Sequence, residues 1–159
     1  MSDDDSIFLD TGEGVGEVAD RLKELLGVGL IAEQPERDDE VGLRGRAVTV
    51  DGWLGFLVHR NWHVLTDPEP GEAQAIDPYS IQVDIWYGAK DGLVQQKEAR
   101  QVFDRLAAAE LGIPMLLVHN VTYLVAAQLP DLGTHYFEAG VSMDEPDIAQ
   151  WRDWVSGIE

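Results

Sequence analysis

The chain contains no cysteine, which excludes disulfides, thiolate metal sites and cysteine nucleophiles. Lysine is nearly as scarce, at Lys23, Lys90 and Lys97 alone, and Lys and Arg together number 11 against 30 Asp and Glu, a net charge of -19. So large a deficit of cations argues against nucleic acid and anionic membrane surfaces as partners, because both are polyanions recognised by Lys and Arg. Long apolar runs are missing too. The longest, Ile113 to Ala127, is interrupted by His119, Asn120, Thr122 and Tyr123 and falls short of the ~18 residues a membrane span needs. Residues 1–5 are acidic and lack the basic and apolar regions of a signal peptide. These absences together lead to the expectation of a cytoplasmic protein.

What is present is a chain able to build a core. At 159 residues it fits one domain, and a domain of this size buries roughly 70% of the surface its unfolded chain exposes. Hydrophobic residues make up 45% and charged residues 26%, so the sign of the charge is unusual and its amount is not. Two readings of that sign stand side by side: a basic protein partner, or adaptation to concentrated salt.

Periodicity sets out the elements. Ser6 to Asp10 reads as a strand. Val15, Val18, Ala19, Leu22, Leu25 and Leu26 recur at helical spacing, and Gly27 stops the helix. Val28 to Ala32 is a candidate strand, followed by an acidic loop to Glu40. Arg44 to Val50 and Trp53 to Val64 read as a hairpin about Asp51-Gly52, expected as a type I′ turn. Thr66 to Asp77 is an acidic loop. Ser80 to Tyr87 alternates strictly, with Ile81, Val83, Ile85 and Tyr87 on one side and Asp84 and Trp86 on the other. Ala99, Val102, Phe103, Leu106 and Ala107 form the stripe of a second helix. Apolar segments at 115–118 and 121–127 read as strands, with a helix in 115–141 as the alternative, and Tyr136 to Val141 as a last strand. Ser142 to Glu145 fits the start of a terminal helix over 142–159. The expected fold is α+β: an antiparallel or mixed sheet of about five to six strands, with two to three helices packed mainly on one face. It is one domain over 1–159, with 1–5 disordered.

No motif fixes a reaction. The Gly12 to Gly16 loop stands where phosphate loops stand, between strand and helix, but lacks their lysine and is crowded by Asp10, Glu13 and Glu17. His59 and His63 are four apart, yet on a strand that spacing separates two ligands by about 13 Å. His119-Asn120 follows an apolar strand and reads as a turn, and no serine lies in a nucleophile elbow. Arg100 and Asp104 are a natural helical pair. Catalytic residues, cofactor and metal are therefore all expected to be none. Five tryptophans are many for this length. Most suit packing, while Trp86 lies on the polar side of its strand and Trp154 beside the apolar stripe of the last helix, as interface anchors do.

Three stretches resemble the small acidic immunity proteins of bacterial polymorphic toxin systems. They are Ser6-Ile-Phe-Leu-Asp-Thr11 with Glu17 to Gly27, Asp77-Pro-Tyr-Ser-Ile-Gln-Val-Asp84, and Ala99 to Ala107 leading to Gly112-Ile-Pro-Met-Leu-Leu-Val118. Together they cover under half the chain. The resemblance implies a non-enzymatic α+β inhibitor that binds a basic toxin domain as a monomer or weak dimer, and it carries over no site residue. The charge pattern nominates the partner-binding residues: Glu36, Asp38, Asp39, Glu40, Asp67, Glu69, Glu72, Asp144, Glu145 and Asp147, with Trp86 and Trp154. The alternatives are an enzyme or small-molecule binder with a site near His119 and the 12–16 loop, and a structural or assembly protein.

Overall fold

A computed structural model describes residues 4–64, 67, 69–89 and 91–157. Eight strands form one antiparallel sheet: β1 (Asp5–Leu9), β2 (Gly29–Leu30), β3 (Val41–Arg46), β4 (Trp53–Arg60), β5 (Ile81–Tyr87), β6 (Met115–His119), β7 (Tyr123–Leu129) and β8 (Gly133–Tyr136). Their order across the sheet is β2-β3-β4-β5-β1-β6-β7-β8. Two meanders, β2–β5 and β6–β8, are thus joined by the N-terminal strand. The helices are α1 (Val15–Leu26), α2 (Gly92–Ala108) and the short α3 (Ile148–Trp151), the last flanked by 3-10 turns at Glu145–Asp147 and Arg152–Trp154.

The period-2 alternation divides each central strand between two cores. Ile7 and Leu9, with Phe56, Val58, Val83, Ile85 and Leu117, face α1 and α2, whose apolar stripes (Val18, Leu22; Ala99, Phe103, Leu106) are buried against them. Phe8, Leu116, Val118, Leu124 and Ala127 face the other way. They are covered by Ala75, Ile76 and Tyr79 of the β4–β5 connection and by Val141, Met143, Trp151 and Val155 of the C-terminal segment. This second layer reaches only the β1, β6 and β7 half. On the β3–β5 half the outward residues Arg44, Trp53, Leu57 and Trp86 keep solvent contact.

Several expectations are corrected. The strands number eight, because two of them (β2 and β8) are short edge pieces of two and four residues with weak patterns. Two helices pack on one face, but the C-terminal segment packs on the opposite one. Instead of a long terminal helix it holds four α-helical residues; Trp151 and Val155 are buried as the stripe required, and Ile158 lies outside the described residues. Region 115–141 holds three strands joined by turns and no helix. Its last strand is Gly133–Tyr136, and Tyr136–Val141 mostly follows it as connection. Asp5 is not in a disordered leader. It is a buried residue of β1, while residues 1–3 lie outside those described.

The β3–β4 hairpin closes through a six-residue loop, 47–52, and not a two-residue turn at Asp51-Gly52; the Ala47 amide donates to Gly52 O at 3.1 Å. The reason is Glu98 on α2. It is fully buried, and its two carboxylate oxygens accept the Val48 and Thr49 amides at 2.7 Å each. A buried carboxylate is tolerated only when so satisfied, and here it clamps the hairpin to the helix. Glu98→Gln places an amide donor against one of those backbone donors. The expected loss is about 2 kcal/mol of unfolding free energy, read by urea denaturation, with faster amide exchange at Val48 and Thr49.

Candidate functional site: an indole on a buried ion pair beside an acidic rim

Antiparallel register brings Ser6 of β1, Asp84 of β5 and Leu57 of β4 into one row, with His59 and Gln82 in the next. Asp84 is the hub. Its Oδ1 accepts from Ser6 Oγ at 2.7 Å and Gln82 Nε2 at 2.8 Å, and its Oδ2 lies 2.8 Å from His59 Nε2. The other ring nitrogen of His59 lies 2.6 Å from Arg60 O. Both partners of this fully buried ring are oxygen acceptors. Burial works to raise the Asp84 carboxyl, but the hydrogen bonds from His59, Ser6 and Gln82 and the attraction of His59 outweigh it, and the net shift is downward.

This pair supports an aromatic plate. Trp62, 51% exposed, stacks on His59 with ring centroids 3.6 Å apart and planes 13° from parallel. Asn61 fixes the turn beneath by donating to Ile76 O and Tyr79 O at 2.9 and 2.8 Å and accepting the His63 amide. His63 is lowered from its ordinary value, chiefly because burial disfavours its charged form; Asp84 opposes and His59 reinforces that shift.

Beside this turn two of the acidic loops meet. Gln74 and Asp144 form a β-bridge, Ala75 N donates to Met143 O at 2.8 Å, and Ala73 N donates to Glu145 Oε2 at 3.3 Å. With its amide turned to satisfy its neighbours, Gln74 also donates to His63 O at 3.1 Å. The 69–77 and 142–147 segments therefore form one acidic rim next to Trp62, carrying Glu69, Glu72, Asp144, Glu145 and Asp147. Asp147 also accepts the Ser142 amide at 2.7 Å. Asp67 is exposed in the preceding loop with φ 50.

The other nominated residues stand apart. Glu36, Asp38, Asp39 and Glu40 lie in the β2–β3 connection, where Arg37 sits 3.4 Å from Asp39 and 3.6 Å from Glu40. Trp86 does keep its outward position, 37% exposed. Its ring lies flat on Gly55 of β4, where an added Cβ would come within 2.2 Å of it. Trp154 is half-buried and stacks on His135 of β8, centroids 4.6 Å apart. Trp62, which local pattern assigns to packing, is the most exposed of the five tryptophans. Its signal was faint: the break in the β4 alternation at Arg60-Asn61.

His119 and the 12–16 loop are not brought together. They adjoin opposite ends of β1, since Asp5 pairs with His119 while Leu9 leads into the loop. His119 Nδ1 lies 2.8 Å from buried Asp5, and Asn120 caps its other nitrogen at 3.2 Å. The His119–Thr122 segment is the expected turn, with Asn120 and Val121 at φ 53 and 46 and Thr122 N donating to His119 O at 3.1 Å. The 12–16 loop is spanned by its own acid, Glu17, which accepts the Gly14 amide. Asp104 accepts the Tyr136 hydroxyl, and Arg100 lies over the Tyr136 ring. Among the described residues no cluster of three or more His, Asp or Glu is arranged to hold a metal ion, and no helix is long and apolar enough to cross a membrane.

No family model matches the chain, and no curated protein or solved structure is similar enough to count as a match.

Two outcomes follow from this geometry. Gly55→Ala lifts the Trp86 indole off the sheet, with an expected cost of about 1–3 kcal/mol and a red-shifted tryptophan emission. For Asp84, a lowered folded value means that its stabilisation is complete above the ordinary aspartate range and is lost as pH falls through the folded value. Asp84→Asn is therefore expected to be less stable than the parent by on the order of 2 kcal/mol at neutral pH. In urea titrations that gap closes as the pH drops below about 3.9, where the unfolded carboxyl protonates.

Proposed function

We propose that the chain is a non-enzymatic inhibitor that binds a basic protein partner, and that it acts as an immunity protein occluding the cationic cleft of a bacterial toxin domain. The observation that carries this reading is Trp62: a large, exposed indole stacked on the buried His59 ring that meets Asp84, in a turn joined through Gln74 and Asn61 to an acid-bearing loop. A preordered aromatic anchor loses little side-chain entropy on docking, and such anchors dominate interface energetics at about 2–4 kcal/mol each. The surrounding carboxylates suit Arg and Lys, and the net charge of -19 steers a cationic partner toward contact. Trp86, flat on the neighbouring strand, extends the same outward sheet face. The alternation of acidic rim and indole describes the composition of a docking surface, and in the cytoplasm of a toxin-producing bacterium such a surface has a basic target to meet.

The test is co-expression with the product of each neighbouring gene, followed by purification and kinetics. A one-to-one complex is expected, with an association rate that falls steeply as salt rises. Trp62→Ala should weaken it by about 30-fold or more without lowering the unfolding midpoint, and Glu69→Lys should act mainly on the association rate. If no neighbouring product binds at micromolar concentration, the inhibitor reading fails; if a complex forms but ignores Trp62→Ala, the surface is elsewhere.

A further inference from the structure

Three of the eleven basic residues of this strongly acidic chain, Arg44, Arg46 and Arg105, line a single groove of about 800 Å³ at the 47–52 end of the β3–β4 hairpin. Elsewhere three cations find acids: Arg21 pairs with Glu13, Lys23 with Asp20 and Arg37 with Asp39 and Glu40. No carboxylate among the described residues lies within ion-pair distance of the three groove arginines. Seven of the ten described cations make no such pair, and three of the seven share this one groove. Like charges gathered in one place repel, so the arrangement is one that a bound anion relieves.

The groove is also built to present these groups. Arg44 is laid over the Trp53 ring, its guanidinium carbon 4.4 Å from the centroid, which orients the fork while leaving its N–H edge free. Arg105 is anchored by one bond, Nη2 to Leu25 O at 3.1 Å, and keeps its other donors. Glu98, which shares an adjoining recess with Arg46 and Arg105, would be the natural neutraliser. Its two oxygens accept the Val48 and Thr49 amides, and it makes no ion pair with either arginine. Asp51 is the one carboxylate in the lining, against three guanidiniums.

We infer that this groove binds a small phosphorylated molecule, of nucleotide size and recognised through two adjacent phosphates. Planar guanidinium forks match phosphate oxygens in pairs, and the volume lies inside the ~300–1,000 Å³ range of small-molecule sites. The indole of Trp53 has a guanidinium on one side and is packed onto Gly88, whose added Cβ would approach it to 2.3 Å. It therefore serves as a platform for Arg44 and leaves no face for a base, which places recognition at the phosphates. The acidic rim does not cancel the local potential. Trp53 and Arg60 mark the two ends of β4, roughly 23 Å apart, against a screening length of about 8 Å at physiological salt. This site goes beyond the inhibitor reading and is independent of it.

Titration calorimetry of the full chain with inorganic pyrophosphate, ADP and adenosine tests the assignment. Pyrophosphate and ADP are expected to bind with Kd below about 1 mM and adenosine not at all. Arg44→Gln combined with Arg46→Gln should weaken both ligands about tenfold or more, while Trp62→Ala leaves them unchanged. The far-ultraviolet circular dichroism of the double variant verifies that it is folded, and Arg46→Gln alone, at the strand end, provides a milder second variant. Absence of heat with either phosphate up to about 10 mM, far weaker than any functional affinity, overturns the proposal. So does binding that the arginine variants leave intact. Capture of polyglutamate in place of pyrophosphate, with the same arginine dependence, also overturns it and makes the groove a docking point for acidic protein.

Discussion

Everything in this fold depends on one short strand lying between two meanders. β1 contributes five residues, all buried, and pairs antiparallel with β5 on one side and β6 on the other. Without it, β2–β5 and β6–β8 would be separate sheets, each exposing a central edge. Its two first residues are polar, and each is committed across the seam. Asp5 binds His119 and Gln95 on the helical side, and Ser6 binds Asp84 on the other. A slip of one residue would turn Phe8 out of its core and bury these groups against the wrong face. Polar residues at the head of an apolar strand thus set register, where apolar residues alone would supply only adhesion.

The same seam builds the surface. Ser6 holds Asp84, Asp84 holds His59, and His59 holds Trp62, so the orientation of an exposed indole is set by bonds made in the middle of the sheet. The His59–Asp84 contact need not add net stability, since desolvation of its buried ring offsets much of the attraction. Its effect is positional. Carboxylates elsewhere play a related part: Glu98, Asp91, Asp147, Glu145 and Glu17 all accept backbone amides. Part of the acidity therefore serves as hydrogen-bond acceptors for loops and helix ends, and only the remainder is available as a field for a partner.

What local pattern could reveal and what it could not divide along a physical line. The order of elements, the stripes of α1 and α2 and the outward position of Trp86 follow from period and alternation, which are properties of neighbouring residues. The loop at 47–52 was hidden because its cause, Glu98, lies about fifty positions away in the chain. The stack of Trp154 on His135 was hidden for the same reason, since His135 sits on β8, well back in the chain. The acidic loops at 69–72 and 144–147 were each recognisable, but their meeting depends on the Gln74–Asp144 bridge, and Glu36 to Glu40 had the same composition with no such contact. Trp62 was missed for the complementary reason. A tryptophan after a strand is ordinarily packing, and what exposes it is a turn anchored by Asn61 to the distant 76–79 backbone.

Charge separation along β4 joins these threads. At one end of the strand stand Trp62 and the acidic rim; at the other, Trp53 and three unpaired arginines. In a chain of net charge -19, mean repulsion would draw each arginine toward the acids if side chains were free to choose. They are not free: Arg44 lies over Trp53, which is itself packed on Gly88, the Leu25 carbonyl holds Arg105, and Glu98 accepts two backbone amides. The fold thereby gives the two ends of β4 different chemistry. The two proposed sites follow that division, an indole for a cationic protein at one end and a groove of three arginines for a small polyphosphate at the other.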